Sequence, residues 1–268
     1  MAQPLGACGG AAPRTVRRLI ARVVVVVELL YGRNAVTEAV RAGRRVRRVL
    51  VARGSHGLDR LLAEAHRQRL PVEMVERDQL DRALRGAHHQ GVAAEAAPFG
   101  YVHPDDLLAG SSGEPPLLLG LDSLQDPQNF GTLLRTAQAC GVRGVLIPEH
   151  RAVGVTPAVS NASAGAVEHL QIARVTNLRR ALDQFKTHGV WIYGLAVEAP
   201  APAWDIDWCA PAMLVVGSEG SGLSRLVREA CDVLVQIPMA PGAVQSLNAA
   251  VAGSIALYEA VRQRRQRG

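Results

Sequence analysis

From residue 117 onward the chain carries short apolar runs at 117–121, 144–147, 190–195, 212–216 and 233–237, broken by a polar residue only at Gln236. Each is too short for a buried helix and lacks polar alternation, so each reads as a strand covered on both faces. Stretches with helical spacing lie between them, at 130–139, 178–186, 223–230 and 247–262. Strands alternating with helices predict an α/β domain over 117–268, built on a parallel sheet with helices on both sides. Such sheets bind ligands in loops beyond the carboxyl ends of their strands. The loops that matter are then 122–129, 196–198, 217–222 and 238–248.

Upstream the pattern is finer. Tyr31-Gly32-Arg33-Asn34-Ala35-Val36 leads into a short helix ending near Val40. Strands are predicted at 46–51, 71–75 and 92–96, and helices at 58–69, with its apolar stripe at Leu58, Leu61, Leu62 and Ala65, and at 78–84. Residues 28–97 thus form a second, smaller α/β unit. Residues 98–116 mix Pro, Gly, Ser and acidic side chains and read as the linker between the two. Residues 1–27 hold no Asp or Glu, carry Arg14, Arg17, Arg18 and Arg22, and end in five valines. That run is too short to span a membrane, and Glu28-Leu29-Leu30-Tyr31 is no signal-peptidase site. The segment reads as a disordered or mis-annotated leader, with an organelle transit peptide as the alternative.

Composition narrows the partners. A net charge of +6 and a pI near 9.7 favour a polyanion, nucleic acid first. Nearly all of the excess is arginine, which also tracks a GC-rich genome, so charge alone does not name the partner. Aromatics make up only 4% of the chain, which argues against a surface built from stacking platforms. Cys8, Cys140, Cys209 and Cys231 lie far apart with no CxxC pair, so neither a zinc site nor a disulfide framework is expected. Cys140 and Cys231 sit in apolar helical stretches and read as buried thiols of a reducing compartment, hence a cytoplasmic protein, or a mitochondrial or plastid one if the leader is a transit peptide. No histidine spacing suggests a metal, and none is expected.

Three loops could carry chemistry. Asp126-Pro127-Gln128-Asn129-Phe130-Gly131, with Arg135 on the same helix, follows the strand at 117–121. Taken alone, Asn129 is a helix N-cap and Arg135 a solvated surface residue. Gly217-Ser218-Glu219-Gly220-Ser221-Gly222 follows the strand at 212–216; its glycines allow close backbone approach, as any tight turn does, and their spacing is not that of a dinucleotide fingerprint. Ile237-Pro238-Met239 and Ser246-Leu247-Asn248 precede a helix rich in small residues, which either Ser246 or Asn248 could cap.

Together, in this order, the three loops resemble the SpoU/TrmH family of RNA ribose 2′-O-methyltransferases, in the SPOUT superfamily. The resemblance runs from Tyr31 to about Arg262. His89-Gln90-Gly91 and Tyr258-Glu259-Ala260-Val261-Arg262 look like the RlmB branch, which methylates a guanosine ribose in large-subunit (23S-type) rRNA. The resemblance implies a SPOUT-type trefoil-knotted parallel sheet, preceded by an L30e-like RNA-binding domain, in a homodimer whose subunits both contribute to each site. It implies S-adenosylmethionine as cofactor, held against Ala196, Gly217, Ile237, Met239 and Leu247. It matches Asn129, Arg135, Glu219, Ser246 and Asn248 to the family's functional positions. RNA contact is implied for Arg41, Arg44, Arg45, Arg47 and Arg48. Pro241-Gly242 lengthens the third loop by a residue, and Ala249-Ala250 replaces the more usual Val-Ser.

An arginine is a poor base, because its guanidinium stays protonated in proteins. Arg135 is therefore expected to bind the adjacent phosphate and polarise the 2′-oxygen, with Glu219 orienting Asn129 or Arg135. Three other readings stand beside this one: a methyltransferase acting on tRNA, a dinucleotide enzyme, which the glycine spacing disfavours, and a non-catalytic RNA-binding assembly factor of the same fold.

Overall fold

A computed structural model describes residues 27–109, 113–240 and 246–267. The smaller unit is a four-stranded sheet of β1 (Glu28–Tyr31), β2 (Val46–Ala52), β3 (Val72–Val75) and β4 (Val92–Ala96), in the order β1-β4-β2-β3. β4 is antiparallel to both of its neighbours, and β2 and β3 are parallel. Helices α1 (Arg33–Arg41) and α2 (Asp59–Arg67) cover one face, where Val36, Val40, Leu61 and Ala65 meet Leu30, Val49 and Ala94. α3 (Arg77–Ala83) sets Leu80 against Ala52 and Ala93 on the other. β1 was not foreseen, because its apolar residues continue the valine run of the leader.

The larger unit contains β5 (Leu117–Leu121), α4 (Pro127–Ala139), β6 (Gly144–Pro148), α5 (Pro157–Ala162), β7 (Gln171–Val175), α6 (Leu178–Thr187), β8 (Trp191–Leu195), β9 (Ala201–Pro202), β10 (Ala212–Val216), α7 (Arg225–Ala230), β11 (Val233–Gln236) and α8 (Ala249–Arg267). Seven strands pair in the order β7-β6-β5-β10-β8-β11-β9, and every neighbouring pair is parallel. The apolar runs serve two cores at once. Leu119, Leu121 and Leu214 face α4 and α8, while Leu118, Met213 and Val215 face α6 and α7. The predicted α/β architecture holds. β7 and α5 were missed: β7 has a polar residue at its start and an arginine near its end, and α5 is only a six-residue helix behind Pro157.

The stretch 98–109 is no free tether. Phe99 and Tyr101 pack on the core, Val102 bridges to Ala173 of β7, and Leu107 is fully buried above Gly144. The expected trefoil threading involves the segment entering α8, of which residues 241–245, including Pro241-Gly242, lie outside the described residues. Among the described residues no helix is long and apolar enough to cross a membrane, and no three His, Cys, Asp or Glu side chains group as metal ligands.

Candidate active site

The chain runs outward from β5 through β6 to β7, then returns to place β8 beyond β10. The direction of winding therefore reverses beside β5 and β10, where parallel sheets open a crevice. The carboxyl ends of β10, β8 and β11 surround a cavity of about 360 Å³ there. Ala196, Gly217, Ile237, Met239 and Leu247 all line it, as do Glu219, Ser246 and Asn248. Leu195 and Val216 add apolar wall that the sequence reading left out.

Backbone economy shapes the Gly217 side. A Cβ on Gly217 would stand 2.2 Å from the carbonyl carbon of Gly222, so only glycine fits. Ser218 and Gly222 exchange two backbone hydrogen bonds of 3.0 Å, closing the loop through Gly220 and Gly222 at φ 82° and 64°. Asp122, buried at the end of β5, accepts the Ser224 N–H at 2.6 Å and pins the loop's far end. Asp122 was overlooked as a site residue. A lone acid closing an all-apolar strand is the signal that could have found it. The closed turn leaves Glu219 exposed at the cavity mouth.

Asn248 joins the loops. Its Oδ1 accepts the N–H groups of Ala250 (2.9 Å) and Val251 (3.2 Å), capping α8. That fixes which way its amide faces. Its Nδ2 then donates to Asn129 Oδ1 at 3.0 Å and to Glu219 Oε1 at 3.4 Å. Side chains 119 and 29 residues away in sequence thus meet at one amide.

The motif on α4 is corrected in one respect: Asn129 is not the N-cap. Asp126 is, accepting the N–H groups of Gln128 and Asn129, with Pro127 at the first helical position. Those amides, Asn129's foremost, hold the Asp126 carboxyl below its ordinary range. Freed from capping, the Asn129 side chain meets Asn248. Gly131 lets α4 press onto α5, since a Cβ there would lie 2.4 Å from Ala162 Cβ. Arg135 is exposed, makes no hydrogen bond or ion pair among the described residues, and does not line the cavity.

The arginines assigned to RNA divide. Arg44 is a correction: its side chain is 7% exposed, and its three nitrogens donate to Glu28 (2.6 Å), Glu168 (2.7 Å) and the Ala97 carbonyl (2.9 Å). It sits over Phe99 and fastens the two domains together. Its place beside other arginines hid this, because burial is not readable from a basic run. Arg48 is held by Glu73 and Glu95, and Arg41 by Glu38. Arg45 and Arg47 are exposed; Arg47 lies 3.8 Å from Glu95.

A SpoU rRNA methylase family model matches residues 116–258, which include every side chain of the Asn129–Glu219–Asn248 cluster. The chain belongs to this family. A second model, for the substrate-binding domain of RNA 2′-O ribose methyltransferases, matches residues 29–102, the smaller unit. The chain is 41% identical over 241 residues to the Bacillus subtilis protein YacO, assigned to the TrmH family of tRNA/rRNA methyltransferases, covering 88% of this chain and 96% of that one. In structure it is similar to the SpoU methyltransferase AviRb of Streptomyces viridochromogenes, solved with S-adenosylmethionine, at a TM-score of 0.75 and 29% identity over 89% of this chain and 90% of that one. A protein described by 2′-OH methylation of C/U34 on tRNA matches at a TM-score of 0.52 and 28% identity, covering 57% of this chain and 99% of its own. The chain is thus an RNA ribose 2′-O-methyltransferase with its own substrate-binding domain.

Proposed function

We propose that this enzyme methylates the 2′-hydroxyl of a guanosine in large-subunit ribosomal RNA, as a cytoplasmic homodimer. The observation that carries the reading is the Asn129–Asn248–Glu219 cluster at the mouth of a cavity walled by Gly217. S-adenosylmethionine, as in AviRb, supplies the methyl group. A cavity of about 360 Å³ that combines a glycine wall, apolar Leu195, Val216 and Ile237, and polar Glu219, Ser246 and Asn248 fits a cofactor with both apolar and charged parts. Backbone at Gly217, Ile237 and Leu247 would hold it, with Ala196 and Met239 as flanking wall.

In-line transfer to a hydroxyl depends on placing the reacting oxygen correctly. Asn248 locks Asn129 and Glu219 together, so the three present a fixed set of polar groups to the ribose. Arg135 supplies the positive charge that holds the neighbouring phosphate and polarises the 2′-oxygen. Within one chain it stands apart from the cavity, which favours a second copy completing the site. Val251, Ile255 and Tyr258 lie on one outward face of α8, exposed by 45%, 43% and 69%. α8 touches α4 through Ser254 and Thr136, so this apolar stripe and Arg135 belong to neighbouring helices.

The SpoU rRNA methylase family model over residues 116–258 favours rRNA as the target, and the protein described by tRNA methylation matches only 57% of this chain. The test is binding of radiolabelled S-adenosylmethionine, then methyl transfer to unmodified rRNA and to tRNA. Ribose-methylation mapping in a deletion strain names the nucleotide. Transfer to tRNA alone would refute the rRNA assignment. Binding without any transfer would leave an assembly factor.

A further inference from the structure

Five residues of the smaller domain with positive φ gather at one end of its sheet: Gly32 after β1, Gly54 and Gly57 after β2, Gln90 and Gly91 before β4. There Arg33 opens α1. Its backbone N–H donates to Gln90 Oε1 at 3.0 Å, and its Nε donates to the Gln90 carbonyl at 3.3 Å. Gln90 is kept in place by His89, a buried imidazole 2.9 Å from Asp81 that also accepts the Gly91 N–H. His89-Gln90-Gly91, which the reaction itself leaves unexplained, is therefore a pedestal for one arginine.

With Nε engaged, the two terminal nitrogens of Arg33 remain. Nη1 lies along Gly57, 3.1 Å from where a Cβ would stand, and no carboxylate pairs with the group among the described residues. The side chain borders a cleft of about 400 Å³ shared with Asn34, Thr37, Asp59 and Arg60. Glu38, also there, is bound by Arg41 and His169, and Arg60 is exposed with no ion-pair partner among the described residues. Asp59 is the one acid left over.

The cleft's position is fixed relative to the active site. Asn161 of α5 donates to the Tyr31 carbonyl at 3.1 Å, and a Cβ on Gly32 would strike its amide. The next residue of α5, Ala162, presses on Gly131, two residues along α4 from Asn129. The turn that carries Arg33 and the start of α4 thus pack against adjacent residues of the same short helix.

We infer that Arg33, assisted by Asn34 and Arg60, grips the sugar–phosphate backbone of the substrate RNA beside the methylated nucleotide. This rests on the RNA-methyltransferase reading and names its outer contact. A guanidinium fork matches phosphate oxygens, and one already held by Gln90 loses less freedom on binding than a loose surface arginine. Phosphate contacts set register without reading bases. The rigid dock through Asn161 converts that register into placement of a ribose at the cavity.

The test uses the full-length enzyme and unmodified rRNA from a deletion strain. RNA KM and kcat are measured at saturating S-adenosylmethionine, and the salt dependence of rRNA binding by filter retention. Arg33→Ala should raise the RNA KM about tenfold, leave kcat within about twofold, and reduce the salt slope by about one. Arg33→Lys should restore the slope but not all of the KM, and Arg77→Ala, on exposed α3, should change neither. Arg60→Ala, which removes no hydrogen bond or ion pair among the described residues, should shift the slope in the same direction and guards against misfolding of the Arg33 variants. Parental KM and slope in Arg33→Ala and Arg60→Ala overturn the proposal while the enzyme's function stands; they would fit a cleft that takes a protein. If the parent binds rRNA without transfer, the slopes still decide on Arg33 and only the catalytic reading falls. If the parent neither binds nor methylates rRNA, both fall.

Discussion

The cavity rim and the domain seam both gather polar side chains from distant parts of the chain, yet they are built on opposite plans. At the rim, Asn129, Glu219 and Asn248 meet through neutral or half-solvated hydrogen bonds of 3.0 and 3.4 Å, and Glu219 keeps a carboxylate oxygen without a partner among the described residues. At the seam, every nitrogen of Arg44 is taken, and its partner Glu168 is 3% exposed. Spare hydrogen-bonding capacity marks a place that awaits a ligand. Saturated, buried charge marks a place that holds the protein together. The same contrast separates Arg44 from Arg33, two arginines of one small domain with opposite duties.

The contrast is broken most severely at the seam. Arg44→Ala leaves Glu168 buried without its partner and should lower the unfolding free energy by about 3 kcal/mol, read from urea melts. Cofactor affinity should stay within about twofold, since the cavity shares no residue with the seam. Burial already raises the Glu168 carboxyl above its ordinary range, against the pull of Arg44. A carboxyl raised in the folded state favours folding at low pH and loses that contribution as pH rises through its folded value. The variant's deficit should therefore be larger at about pH 8 than at about pH 5. A pH-independent deficit would mean that Glu168 finds another partner.

Next is the rim. Asn248→Asp keeps the acceptor that caps α8 but replaces the donor that holds Asn129 and Glu219, and sets a like charge beside Glu219. Methyl transfer should fall about a hundredfold, the scale of one misplaced polar group at a reacting centre. Thermal stability should barely move. A large fall in melting temperature with normal turnover would make Asn248 a cap and nothing more. Gly217→Ala should weaken S-adenosylmethionine binding about tenfold or more and lower stability by about 2 kcal/mol, because a Cβ 2.2 Å from Gly222 forces the loop open.

These two regions also differ in how far they could be read beforehand. The cavity was legible because its determinants are backbone ones: strand-end loops, glycines that close a turn, and small residues that start α8. Those leave a mark in spacing that points to the strand-end loops, while the wall residues Ala196, Gly217, Ile237, Met239 and Leu247 were implied by family resemblance, and all five line the cavity. The meeting of Asn129 with Glu219 and Asn248 was legible only through family resemblance, since nothing in the spacing brings position 129 to position 248. The seam was not legible at all. Arg44 looks like Arg45 and Arg47 in a run of charges, and only the tertiary fold shows that, where the chain enters β2, Arg44 turns toward Glu168 while Arg45 and Arg47 face solvent. The same limit applies to the stretch 98–109, where a loop-like composition hides Leu107 and a strand bridge.

The smallest effect sharpens the comparison from inside one helix. α4 carries Asn129, which joins the rim, and Arg135, which stands free, and Asp126 begins the helix that carries both. Asp126→Ala removes the acceptor for the Gln128 and Asn129 amides and should destabilise the protein by about 1 kcal/mol. Its carboxyl lies below the ordinary range because those amides favour the charged form. A depressed carboxyl contributes stability above its unfolded pKa and loses it as pH falls through the folded value. The gap between parent and variant should thus be full at neutral pH and close below about pH 4, discounted because the group is well solvated. Activity is the sharper readout. If fraying of the first turn releases Asn129, kcat should drop several-fold with RNA affinity unchanged, because Arg135 rides a later turn. Equal loss in both would mean that the helix moves as one body and that the rim gains no separate order from Asn248.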